Sequence, residues 1–179
     1  EDFVYGTSAI NDNDDILGLM DDGNGNMIPG IRVDGTWTAF PSSVPIGSED
    51  VLYAISDNGV WVAGQTAWNA DTDEAWGFVY NTQTQEYNVL SSSLYEYSAA
   101  YGVNNDGYAV GWVDDLEIGT LRMPAIFNPD GTITLIAEDA GEASGINNQG
   151  MVVGQFMGQA FIYDMAAQSL ETFAPIDDA

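Results

Sequence analysis

The sequence predicts an all-β, β-propeller-like fold of four repeats, each a blade of four short antiparallel strands. Three observations predict it. The stretch Ser144-Gly145-Ile146-Asn147-Asn148-Gln149-Gly150-Met151-Val152-Val153-Gly154-Gln155 recurs three times upstream. Aligned on Ile10, Ile55, Val103 and Ile146, the copies are spaced 45, 48 and 43 residues apart. A near-constant period of this size marks a stacked or radial repeat architecture. No segment has convincing helical spacing, whereas short β-branched and aromatic runs alternate with Gly, Asn and Asp turns throughout.

Each repeat follows one script. An apolar entry such as Ala54-Ile55 or Gly145-Ile146 reads as a first strand. A polar turn follows, Asp57-Asn58-Gly59, Asn105-Asp106-Gly107 or Asn148-Gln149-Gly150, with the residues that accept left-handed backbone angles. The return strand is Val-rich and closes on glycine: Val62-Ala63-Gly64, Ala109-Val110-Gly111, Val152-Val153-Gly154. A variable loop leads to a third strand at 30–33, 77–80, 125–128 and 160–163. A second turn, Asp34-Gly35 or Pro129-Asp130-Gly131, precedes a last strand at 36–40, 86–90, 132–137 and 169–173. Four such strands in roughly 40–45 residues match a propeller blade. The expected organisation is one domain of four repeats, about 1–45, 46–92, 93–138 and 139–179. A closed four-bladed ring is the simplest arrangement. A linear β-solenoid and an arc of a larger ring are its rivals.

These copies resemble the bacterial HAF-type probable extracellular repeats, which pair a G-I-N-x-x-G-x-V-V-G stretch with a downstream A-F-x-Y strand. Gly145 through Gly154 with Ala160-Phe161-Ile162-Tyr163 carries the resemblance nearly in full. The third copy matches with Ala125-Ile126-Phe127, and the second has Ser56 in place of the Asn. The first copy departs most, with Asp15 expected at the glycine position and Gly30-Ile31-Arg32 in place of an aromatic strand. The resemblance implies a secreted setting, extracellular or at the cell surface with the periplasm as an alternative. It implies no catalytic residues.

Composition narrows the chemistry. Against 28 acidic residues stand only Arg32 and Arg122, a net charge of −26. Phosphate backbones and anionic membrane surfaces are repelled, so nucleic acid and membrane insertion are excluded as partners. Cys, His and Lys are absent, which removes disulfides, thiolate and imidazole catalysis, and Schiff-base chemistry. No apolar run is long enough to span a membrane. A chain opening at Glu1 reads as processed or trimmed.

Candidate sites lie where loops between second and third strands share one rim. These loops are Asp21-Asp22-Gly23-Asn24-Gly25-Asn26, Asn69-Ala70-Asp71-Thr72-Asp73-Glu74 and Asp114-Asp115-Leu116-Glu117. Calcium takes six to eight oxygen ligands and favours alternating Asp and Asn on a tight loop. Asn69, Asp71, Asp73 and Glu74, with Asp21 and Asn24 as a looser version, are therefore candidate Ca2+ ligands. Solvated acidic loops are the plainer reading. Trp68, Trp76, Trp112, Tyr95 and Tyr97 bring aromatic faces to the same rim, where they stack on sugar rings or else pack between blades. The expected function is non-catalytic binding of a glycan or an extracellular protein. The alternatives are a structural subunit with self-assembly, and a glycoside hydrolase using a pair drawn from Asp71, Asp73, Glu74 and Glu117.

Overall fold

The computed structural model describes residues 4–71, 74–114 and 121–173. Their sixteen strands form four separate four-stranded antiparallel sheets, each ordered as in the chain. Blade 1 holds β1 (Val4–Ile10), β2 (Ile16–Asp21), β3 (Met27–Val33) and β4 (Thr36–Ala39). Blade 2 holds β5 (Val51–Ile55), β6 (Trp61–Gln65), β7 (Gly77–Asn81) and β8 (Tyr87–Val89). Blade 3 holds β9 (Ser98–Val103), β10 (Ala109–Asp114), β11 (Arg122–Phe127) and β12 (Ile133–Leu135). Blade 4 holds β13 (Gly141–Ile146), β14 (Met151–Phe156), β15 (Gln159–Asp164) and β16 (Ser169–Phe173).

The first turn of each repeat is built around a left-handed residue. Gly59, Gly107 and Gly150 have φ of 70°, 83° and 77°. In blade 1 this place belongs to Asp14, at φ 62°, and not to Asp15 as expected. Asn11 Oδ1 accepts the backbone N–H groups of Asn13 and Asp15 at 3.0 and 2.9 Å, the pattern Asn104 and Asn147 also make, so the left-handed residue falls three places after the Asn in each and the position matching Gly107 and Gly150 is Asp14. Asp15 then turns inward, buried, and accepts Asn11 Nδ2 at 2.9 Å.

The glycine expected to close each return strand lies within it, followed by further strand residues, and serves close approach. A Cβ on Gly64, Gly111 or Gly154 would run into the backbone carbonyl of Val51, Ala99 or Glu142 on the first strand of the same blade. In all three blades the pairing of first and second strands slips at this point, as in a β-bulge.

Register decides how blades pack. Leu17 pairs Ile31, Ala63 pairs Val79, and Val110 pairs Ile126, each pair on the blade face that looks forward along the chain. The backward faces carry Val62 opposite Tyr80, Ala109 opposite Phe127 and Val152 opposite Tyr163. Leu17 and Ile31 share a core with Val62, Phe78 and Tyr80. Ala63 and Val79 share one with Ala109 and Phe127. Val110 and Ile126 share one with Val152 and Phe161, with Tyr163 partly buried against it. Fully burying side chains of this size contributes about 1.5–3 kcal/mol each, so these seams hold the blades together.

Among the described residues the expected closed ring is not formed. Successive blades pack in the order 1–2–3–4, and among the described residues β13 makes no contact with β1 comparable to those of β1 with β5, β5 with β9, or β9 with β13. The four blades form an arc. Among the described residues no core cluster joins blade 1 to blade 4, and their outer faces mix apolar residues with Arg32, Glu142 and Glu171.

Candidate functional site

In each blade the turns between first and second strands lie at one end and the loops between second and third strands at the other. At the turn end, asparagines stitch neighbouring blades. Asn11 Nδ2 donates to Ser56 O at 3.0 Å, Asn58 Nδ2 to Asn105 O at 3.3 Å, and Asn104 Nδ2 to Asn147 O at 3.4 Å. Asn148 Nδ2 also reaches Asp57 Oδ2 at 2.7 Å, tying blade 4 to blade 2. This end is a structural fastening.

The opposite end opens as a cleft of about 570 Å³ between blades 2 and 3, with Tyr53, Trp68, Tyr97, Trp112, Asp114 and Arg122 in its wall. Asp50 fixes one lip, accepting Gly47 N and Ala67 N at 2.8 and 2.6 Å. Gln65 Nε2 donates to Ser98 O at 2.9 Å and joins β6 to β9. Trp68 is 57% exposed and lies nearly parallel to Tyr97, ring centroids 5.5 Å apart. Deeper in, Tyr53 meets Tyr101 edge to face at 4.8 Å. Trp112 Nε1 donates to Tyr101 Oη at 2.9 Å, and the Arg122 guanidinium sits 4.1 Å from the Trp112 ring centre. A cation over an indole face is attracted by the ring quadrupole, which anchors one of only two cations in the chain.

Asp114 is the polar group left over. Its Oδ1 is buried without a hydrogen-bond partner. Burial holds its carboxyl above the ordinary range; nearby Arg122 pulls it down and Glu96 pushes it up. A buried, unpaired acceptor in a cleft is a point of attachment for a donor from outside.

The structure thus gathers Trp68, Tyr97 and Trp112 of the expected aromatics in one wall. Tyr95 instead packs against the core between blades 2 and 3. Trp76 lies outside the cleft wall, its backbone paired to Thr66 through N–H to Oγ1 at 3.0 Å and through its carbonyl to Thr66 N at 2.8 Å. Tyr53, Asp114 and Arg122 complete the cleft. Arg122 had one sequence signal, its rarity in so acidic a chain.

The acidic loops turn their oxygens on themselves. Asn69 and Glu74 pair through their backbones, and Asn69 Oδ1 accepts Asp71 N at 3.0 Å. Asp21 Oδ1 accepts Gly23 N and Gly25 N at 2.8 and 3.1 Å. Asp22 accepts Asn24 N and both the side chain and backbone of Asn26; chiefly through the Asn26 side chain, its carboxyl is lowered to about 2. Asn24 lies exposed in the same turn. Asp73, Asp115 and Glu117 lie outside the described residues. Among the described residues no three carboxylates are grouped to hold a metal ion, and no helix is long and apolar enough to cross a membrane.

Comparison with known folds agrees with this architecture. No protein-family model matches the chain, and none of the curated proteins matches it in sequence. Among solved structures, TolB from Acinetobacter baumannii superposes with TM-score 0.58 at 11% identity, over 97% of this chain and 44% of TolB. A structure from a study of two prolyl endopeptidases superposes with TM-score 0.63 at 14% identity, over 98% of this chain and 30% of that one. The fold is β-propeller-like, with four blades of four antiparallel strands. The chain spans less than half the length of either structure, and identities this low establish the fold alone.

Proposed function

We propose that this chain is a non-catalytic binding module that holds its ligand in the cleft between blades 2 and 3. The observation that carries the reading is the exposed Trp68, stacked on Tyr97 at the mouth of a cleft whose wall holds the unpaired Asp114 oxygen. Its volume lies in the range of about 300–1,000 Å³ usual for small-ligand sites. Aromatic faces beside a carboxylate, an amide and a guanidinium suit the apolar face and hydroxyl rim of a sugar ring. The −26 net charge favours a neutral or cationic ligand over an anionic one.

The carboxylates expected to serve a hydrolase do not support catalysis in this cleft. Asp71 and Glu74 are absent from its wall, which holds Glu49 and Asp114 instead, and Asp114 feels the charge of Arg122. The repeat resemblance and the acidic surface support a secreted or periplasmic home. An extracellular protein partner is the second reading, favoured by Trp68, which stands 57% exposed at the cleft mouth.

The test is a neutral-glycan array followed by fluorescence titration of hits, using the wild type and Trp68→Ala. Binding that saturates and weakens at least tenfold in the variant supports the sugar reading. Silence on the array with capture of a defined protein through the same Trp68 transfers the site to the second reading. Ligands that bind both forms equally remove the cleft from consideration.

A further inference from the structure

The two ends of the arc are the two halves of a blade seam that the described residues do not form with one another. Leu17, Ala63 and Val110 occupy the same place on the forward faces of blades 1, 2 and 3, and each is 0% exposed under the next blade. The fourth member, Val153, paired with Ile162, is 46% exposed. The backward faces show the mirror case. Ile55 and Val103 are each 7% exposed, whereas Ile10, at the same place in blade 1, is 63% exposed. The fastening at the turn end stops in step: Asn11 and Asn104 donate through Nδ2 to the following blade, while the exposed Asn147 has no such acceptor among the described residues.

The residues that depart from the repeat on these faces are charged, and oppositely so. Arg32, opposite Ile16, stands where blades 2, 3 and 4 have Tyr80, Phe127 and Tyr163. Glu171, opposite Ile162, stands where blades 1, 2 and 3 have Thr38, Asn88 and Thr134. Between blades 2 and 3 the corresponding residues, Asn88 and Phe127, line one small cavity and are therefore close neighbours. Repeating that seam once more sets Glu171 beside Arg32.

We propose that the forward face of blade 4 docks on the backward face of blade 1 of a second copy, head to tail, with Val153 and Ile162 over Ile10 and Ile16 and Glu171 paired with Arg32. A contact between two different faces closes into a ring if the rotation allows and otherwise runs on as a filament. Sequestering the pair in the seam makes Arg32 a test of partner choice, since like charges placed there repel. Mutual repulsion of two chains at −26 makes the association stronger as salt rises.

The test is sedimentation velocity across a wide concentration range at low and high salt, with melts confirming that each variant is folded. Wild type is expected to associate, and more so at high salt. Arg32→Glu is expected to weaken association at least tenfold, and adding Glu171→Arg to restore most of it. Ile10→Asp and Val153→Asp are expected to be monomers alone and to form only a one-to-one pair when mixed, because each retains one working face. A wild type that stays monomeric at the highest concentration overturns the proposal, whatever else covers those faces. So does self-association of either single-face variant, which would mean a symmetric contact.

Discussion

The Trp68 indole lies 16° from parallel with the Tyr97 ring, the two centroids 5.5 Å apart. The pair joins the loop after β6 to the segment before β9, so an exposed residue of blade 2 is positioned by blade 3. Stacking of this kind contributes about 0.5–1.5 kcal/mol beyond area burial. Trp68→Ala is therefore expected to lower stability by about 1 kcal/mol while weakening ligand binding at least tenfold. A denaturant melt beside a binding titration separates the two effects. A collapse of the fold would reassign Trp68 to packing.

Asp114 gives a pH signature with a defined sign. Its folded-state pKa is raised above the ordinary 3.8, with burial the first cause. Its contribution to stability is fully present below 3.8, where it is protonated in both states, and is lost as pH rises through the folded value. Asp114→Asn is accordingly expected to be more stable than wild type at neutral pH, the gap closing on acidification toward 3.8. Arg122→Met is expected to do the reverse at neutral pH, since it removes the cation that offsets the buried charge. Melts of the three proteins across that range check both.

The sequence made the blades legible because strand alternation and turn chemistry are local. The segment 169–173 was expected as a strand and is β16; Gly59, Gly107 and Gly150 were expected in turns and have positive φ. Trp68, Tyr97 and Trp112 were placed on one rim because loop order along a meander fixes which end they occupy. Tyr53 and Arg122 carry no such signal, since the repeat motif does not mark them, and only the packing of blade 2 on blade 3 brings them to one cleft. Arc against ring was equally hidden. It depends on whether Val153 and Ile10 face each other, a matter of blade tilt that no repeat motif states.

The turn-end asparagines offer an internal comparison. Asn104 and Asn147 each accept two backbone N–H groups through Oδ1, from Asp106 and Tyr108 and from Gln149 and Met151. Asn104 is buried and also donates to Asn147 O, whereas Asn147 is exposed at the end of the series. Removing a buried hydrogen-bonding group leaves partners unsatisfied at about 1–3 kcal/mol, against a net contribution of about 0.5–1.5 kcal/mol for a typical hydrogen bond whose partner can turn to water. Asn104→Ala is thus expected to lower the denaturation midpoint clearly more than Asn147→Ala. Equal losses would mean that the link between blades contributes nothing and only the local turn matters.

Gly111 provides the sharpest test of the strand geometry. A methyl group there would meet the carbonyl of Ala99, with the Ala99 carbonyl carbon at 2.9 Å and the Ala100 Cα at 3.2 Å. All of these are backbone atoms of β9, held between β10 and the core that contains Ala100 and Val103. No side-chain rotation relieves such a clash, so β9 itself must move and open the seam between blades 2 and 3. Overpacking a tight core costs about 1–3 kcal/mol, and a main-chain clash belongs at the upper end. Gly131→Ala is the control: it has φ 85° and nothing within 4 Å of an added Cβ, so only local backbone strain is introduced. Gly111→Ala is expected to lose at least twice the stability of Gly131→Ala and to disturb the cleft, since Trp112 follows Gly111 directly. If both variants melt alike, the recurring glycine at 64, 111 and 154 is not required by the close approach of first and second strands.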